Sequence, residues 1–88
     1  MKIKEGFVLR TVMGNNVVVA VGEASKSFRG MIKLNGTATA IWKLIDEGKT
    51  ESEIIDAMLE IYDVEREKLT TDVKNILEGF EKQGFLEV

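Results

Sequence analysis

The sequence predicts an α+β domain in which a three-stranded antiparallel sheet comes first and three helices follow. Three observations predict it. Residues 7–34 hold three runs rich in apolar residues, parted by Gly-, Asn- and Ser-containing breaks. Residues 35–84 hold three stretches with helical periodicity, each with its own start or stop signal. The 88 residues contain no linker, repeat or low-complexity segment, so residues 1–88 read as a single domain.

The first strand runs from Phe7 to Met13, and Gly14, Asn15 and Asn16 form the expected hairpin turn, because Gly and Asn tolerate positive φ. The second strand, Val17 to Val21, is apolar at every position, which marks it as the central one. A small polar connection, Gly22 to Ser27, leads to a third strand from Phe28 to Leu34. Alternation there sends Phe28, Ile32 and Leu34 to one face and Arg29, Met31 and Lys33 to the other. Gly30 falls on the inner face, as a bulge or a close backbone approach.

Asn35 is a good N-cap for the first helix, whose Ala38, Ile41, Trp42 and Ile45 keep the i, i+3, i+4, i+7 spacing. Gly48 ends it. Thr50 and Glu53 have the spacing of a capping box and open a second helix that buries Ile54, Ile55, Met58, Leu59 and Tyr62. Asp63 or Glu65 opens the third, with an apolar stripe of Leu69, Val73, Ile76, Leu77 and Phe80 and a closing Gly84. Phe85 to Val88 form a short terminal strand or simply pack down.

Composition excludes most chemistry. Cys and His are absent, which removes disulfides, a thiolate nucleophile, and the commonest general base and metal ligand. Ser25, Ser27 and Ser52 have no His to activate them. Asp72 and Glu78, six apart on a helix, do not face each other, and no phosphate-cradling glycine loop is spelled out. No apolar run approaches the roughly 20 residues of a membrane span, and no signal peptide is evident, so the reading is of a cytoplasmic protein. Neither an enzyme nor a cofactor is expected.

Charge is divided. Residues 1–35 carry six Lys/Arg and two Glu, net +4, whereas residues 36–88 carry six Lys/Arg and thirteen Asp/Glu, net −7. The basic sheet half suits an acidic ligand. Strands followed by helix, turn and helix give a winged helix-turn-helix-like order, which raises nucleic-acid binding. Yet the reading helix, residues 65–83, sets Arg66, Lys68, Lys74 and Lys82 against Glu65, Glu67, Asp72, Glu78 and Glu81. A net charge of −1 there argues against a duplex partner. The third strand is more informative. With the second strand central, the first and third are both edges; the third carries no Pro to block pairing and is joined directly to the first helix. Either Arg29 and Lys33 protect that edge, or an extended peptide adds to it as a further strand. An open edge also invites homodimers.

Leu34-Asn35-Gly36-Thr37-Ala38, followed by Ile41-Trp42-Lys43-Leu44, resembles the signature of the PqqD family. Gly48-Lys49-Thr50, Glu53-Ile54-Ile55, Tyr62-Asp63-Val64, Asp72-Val73 and Gly84-Phe85-Leu86 continue the resemblance in order and cover nearly the whole chain. The resemblance implies the same sheet and three helices. It also implies a non-catalytic peptide chaperone that binds the leader of a ribosomally made precursor peptide. Such a chaperone presents the core to a modifying enzyme, often a radical S-adenosylmethionine protein, with the leader beside the third strand and against the third helix. Family members serve pyrroloquinoline quinone and other pathways, sactipeptide-like and lasso peptides among them. Carried over by position, the leader-binding set is Phe28, Arg29, Gly30, Met31, Ile32 and Lys33 on the strand, with Val73, Lys74, Leu77, Glu78 and Glu81 on the helix. Two alternatives stand beside this reading: a winged-helix nucleic-acid binder, and a module that docks only to a partner enzyme.

Overall fold

The computed structural model describes residues 1–28 and 30–87; Arg29 and Val88 lie outside the described residues. The order is β1 (Lys2–Ile3), β2 (Phe7–Val12), β3 (Asn15–Ala20), a 3-10 helix (Gly22–Lys26), β4 (Met31–Leu34), α1 (Gly36–Asp46), α2 (Glu51–Ile61), α3 (Arg66–Lys82) and β5 (Leu86–Glu87). β2, β3 and β4 form an antiparallel sheet in that spatial order, so the apolar second run is the central strand, as expected.

Three details of the strand reading need correction. The hairpin turn is Met13-Gly14, not Gly14 to Asn16: both residues have positive φ, 51° and 81°, and Val12 pairs with Asn15 across them. The third strand begins at Met31 rather than Phe28, because Gly30 takes φ +92° and breaks the extended backbone. Gly30 is neither an inner-face bulge nor a close approach, since a Cβ built on it would meet nothing within 4 Å. The pairing of β1 with β5 was not anticipated; Lys2 pairs with Glu87 and Ile3 with Leu86.

The helices follow their signals closely. Asn35 caps α1 by accepting the Ala38 N–H at 2.8 Å. Thr50 and Glu53 make a full capping box on α2: the Thr50 N–H donates to Glu53 Oε1 at 2.9 Å, and the Glu53 N–H donates to Thr50 Oγ1 at 3.2 Å. The Glu53 carboxyl is held below its ordinary pKa first by that backbone donor and then by the Thr50 side chain. Glu65 occupies the N-cap of α3 without a side-chain cap bond. α1 and α3 both end in Schellman turns around a left-handed glycine, Gly48 at φ +86° and Gly84 at φ +80°. After Gly84, the Phe85 N–H donates to the Phe80 carbonyl at 3.0 Å; after Gly48, the Lys49 N–H donates to the Leu44 carbonyl at 3.1 Å.

The core lies between the sheet and the helices. Phe7, Leu9, Val18, Ile32 and Leu34 reach it from the strands; Ile41, Trp42, Ile45, Ile54, Met58, Val73 and Phe80 reach it from the helices. Phe85 is fully buried at its centre, with Phe7, Phe28, Trp42 and Phe80 around it at ring-centroid distances of 5.0 to 6.2 Å. The β1–β5 ribbon holds Phe85 there, helped by the Lys4 N–H donating to the Phe85 carbonyl at 2.7 Å. Among the described residues, no helix is long and apolar enough to cross a membrane.

Candidate functional site

The turn between β2 and β3 fixes which backbone groups of β4 face outward. With both central residues at positive φ, Met13-Gly14 is a type I′ turn, in which the Asn15 N–H donates back to the Val12 carbonyl. Bonded and non-bonded pairs then alternate along the ladder, so Val17 and Val19 also direct their backbone groups at β2. The Val21 N–H continues that phase by donating to the Gly6 carbonyl at 2.7 Å. Asn16 and Val18 therefore serve β4, where their partners are Leu34 and Ile32. Met31 and Lys33 are left with N–H and C=O groups aimed away from the sheet. These four groups form an unfilled half-ladder on a strand without Pro.

Side chains divide in step. Ile32, half-buried, and Leu34, buried, point into the core, whereas Met31, 55% exposed, and Lys33, exposed, point to the face away from the helices. Phe28 precedes the strand and is half-buried, 5.5 Å from Phe7 and 5.6 Å from Phe85 between ring centroids. Its place in the aromatic cluster makes it a support for the edge. Gly30 is exposed and turns the chain into the strand. Arg29 lies outside the described residues.

The helix-three half of the expected site divides between the core and a surface cavity. Val73 is fully buried in the core and offers no surface to a ligand, because it lies in the stripe with Leu69, Leu77 and Phe80. Lys74, Leu77, Glu78 and Glu81 line a cavity of about 480 Å³ whose other walls are Met1, Glu51, Leu86 and Glu87. Among the described residues, none of β4 lines that cavity. Met1, Leu77 and Leu86 supply its apolar side chains, and four glutamates line it with the single Lys74. Sequence reasoning missed Met1, Glu51, Leu86 and Glu87 because they reach the cavity through the terminal ribbon and the antiparallel return of α3 on α2, neither of which has a local signal.

The fold and edge define a class: a small winged-helix-like α+β domain with a sheet edge open to a further strand. The family model for Coenzyme PQQ synthesis protein D (PqqD) matches residues 15–86, and the chain belongs to that family. Among solved structures, it is similar to TbiB1 in complex with the TbiA(beta) leader peptide. That similarity has 26% identity and a TM-score of 0.82, covering 99% of this chain and 95% of that one. A lasso peptide synthetase B1 complexed with its leader peptide shares the fold, at 15% identity and a TM-score of 0.77, over 96% of this chain and 93% of that one. A search of curated proteins finds no match.

Proposed function

We propose that this chain is a non-catalytic peptide chaperone. It takes up the leader of a ribosomally made precursor as an added strand on β4 and presents the precursor to a modifying enzyme, a radical S-adenosylmethionine protein in the reading favoured here. The outward N–H and C=O groups of Met31 and Lys33 carry the proposal. They supply main-chain affinity independent of side-chain sequence, while the neighbouring side chains supply selectivity. Similarity along nearly the full chain to TbiB1, whose structure holds a leader peptide, supports the same reading.

In this reading, Met31, Ile32 and Lys33 form the contact, Phe28 and Gly30 shape its start, and Lys33 favours an acidic leader. The cavity at Lys74, Leu77, Glu78 and Glu81 is a second contact, with Leu77 as its apolar floor. The open edge also suits pairing between two copies of the chain, so peptide would compete with a homodimer.

The test is fluorescence anisotropy of a labelled leader peptide, taken from whichever short precursor peptide is encoded nearest to this gene. Saturable binding that weakens with salt, and weakens less steeply for Lys33→Glu, is the expected result. A gel shift with duplex DNA at low salt, without peptide binding, would favour the winged-helix nucleic-acid alternative instead.

A further inference from the structure

The sheet face away from the helices carries two cross-strand rows of different chemistry. One row is Val8, Val19 and Met31; the other is Arg10, Val17 and Lys33. Both lie on the outer face, since Phe7, Leu9, Val18 and Ile32 occupy the inner one. Val17 is only 4% exposed although it is not part of the core cluster. Its row neighbours are Arg10 and Lys33, residue types whose long aliphatic stems cover apolar surface while the charged end stays in water. No carboxylate occurs anywhere in β2, β3 or β4. The unbroken apolar run of the central strand thus serves two faces, and the outer one is not covered by a helix.

Resting on the strand-addition reading, we infer that these two rows select the peptide: its outward-facing residues are an acidic residue opposite Lys33 and an apolar residue opposite Met31. Directly opposed residues of neighbouring strands share a face, so an added strand lengthens each row by one side chain. An apolar residue continues Val8, Val19 and Met31. A carboxylate completes the row that ends on Lys33, whose other charge is Arg10. The two selected residues stand two apart. In an antiparallel added strand the acidic one comes first in the chain, and the residue between them faces Ile32 on the helix side. Met31 and Lys33 therefore do double duty, pairing through their backbone and discriminating through their side chains.

The experiment is selection of a phage-displayed library of random peptides against the whole protein and its variants, each checked for an unchanged thermal melt. The wild type is expected to enrich acidic-x-apolar peptides. Lys33→Glu should replace the acidic preference with Lys or Arg and keep the apolar one; Lys33→Gln should flatten the charge preference without reversing it. Met31→Glu should move the change to the other position. Transferred between the wild type and Lys33→Glu, a selected peptide should lose about tenfold in affinity. An identical consensus for the wild type and Lys33→Glu overturns the inference while leaving strand addition standing. Failure of the wild type to enrich any peptide, or enrichment unaffected by Met31→Pro, overturns the strand-addition reading and the inference with it.

Discussion

At Gly48 and Gly84 the helices end in turns that return backbone carbonyls to amide donors, whereas at Met31 and Lys33 the sheet ends with two N–H and two C=O groups turned outward. The helical half satisfies much of its backbone locally: Asn35 caps α1 and Thr50 and Glu53 cap α2, while α3 starts without a side-chain cap, and the two terminal segments pair with each other as β1 and β5. In the sheet half β4 leaves four consecutive residues without a second neighbour strand, and β2, at the opposite edge, is likewise paired on one side only. Strand-forming residues are thus available at the termini but are used to pin Phe85 rather than to close the β4 edge. The difference separates two tasks. The closed half supplies stability, and the open half is held ready by it.

The comparison is broken most severely at Phe85, where five aromatic rings meet. Phe85→Ala should cost about 3–5 kcal/mol, the usual range for emptying a buried phenylalanine site. At roughly 4–8 °C per kcal/mol, the midpoint of a calorimetric melt should fall far enough to leave little folded protein at physiological temperature. Met31→Pro should do the opposite. It removes an outward N–H at the first position of an edge strand, where Pro is tolerated, so the melt should hold. Leader affinity should fall by about 1–3 kcal/mol, the cost of an orphaned carbonyl on the peptide, read as a rise in Kd by anisotropy.

Smaller effects sharpen the contrast within the closed half. Gly84→Ala forces a left-handed alanine and should cost about 1–2 kcal/mol of stability in urea titration, with leader affinity unchanged. Thr50→Ala should cost about 1 kcal/mol by removing the α2 cap. The smallest signal is a pH dependence. Because the folded pKa of Glu53 is depressed, its stabilisation is present above the unfolded carboxylate pKa and is lost as pH falls through the folded value. The stability gap between the wild type and Glu53→Gln should accordingly be open at neutral pH and close in acid, as followed by melts across that window.

Local spacing made the helical half legible in the sequence. Asn35, the Thr50–Glu53 pair, Gly48, Gly84 and the Leu69-to-Phe80 stripe each act within a few residues of themselves. The hairpin was legible only in outline. Gly14, Asn15 and Asn16 all accept positive φ, and the choice was made instead by register. Pairing Val12 with Asn15 sets Leu9 against Val18 on the core side, and a one-residue slip would put the two on opposite faces. Two-residue strands such as β1 and β5 are too short to show a period, so their pairing had no signal. The edge itself was legible from an apolar central strand and the absence of Pro. Which of its amides face outward was not, because that depends on the Met13-Gly14 turn, which sets the phase of a ladder two strands away. Val73 illustrates the remaining gap: an apolar stripe shows that residues share a face, and only the packed structure shows which of them the core consumes.

The most direct test of the open edge is residue-resolved amide hydrogen exchange on the free protein and on its complex with the leader peptide. Ile32 and Leu34 should be protected in both states, whereas Met31 and Lys33 should exchange fast in the free protein and become protected in the complex. Fast exchange at Met31 and Lys33 in a saturated complex would contradict it, because the peptide would then be held without strand addition to β4.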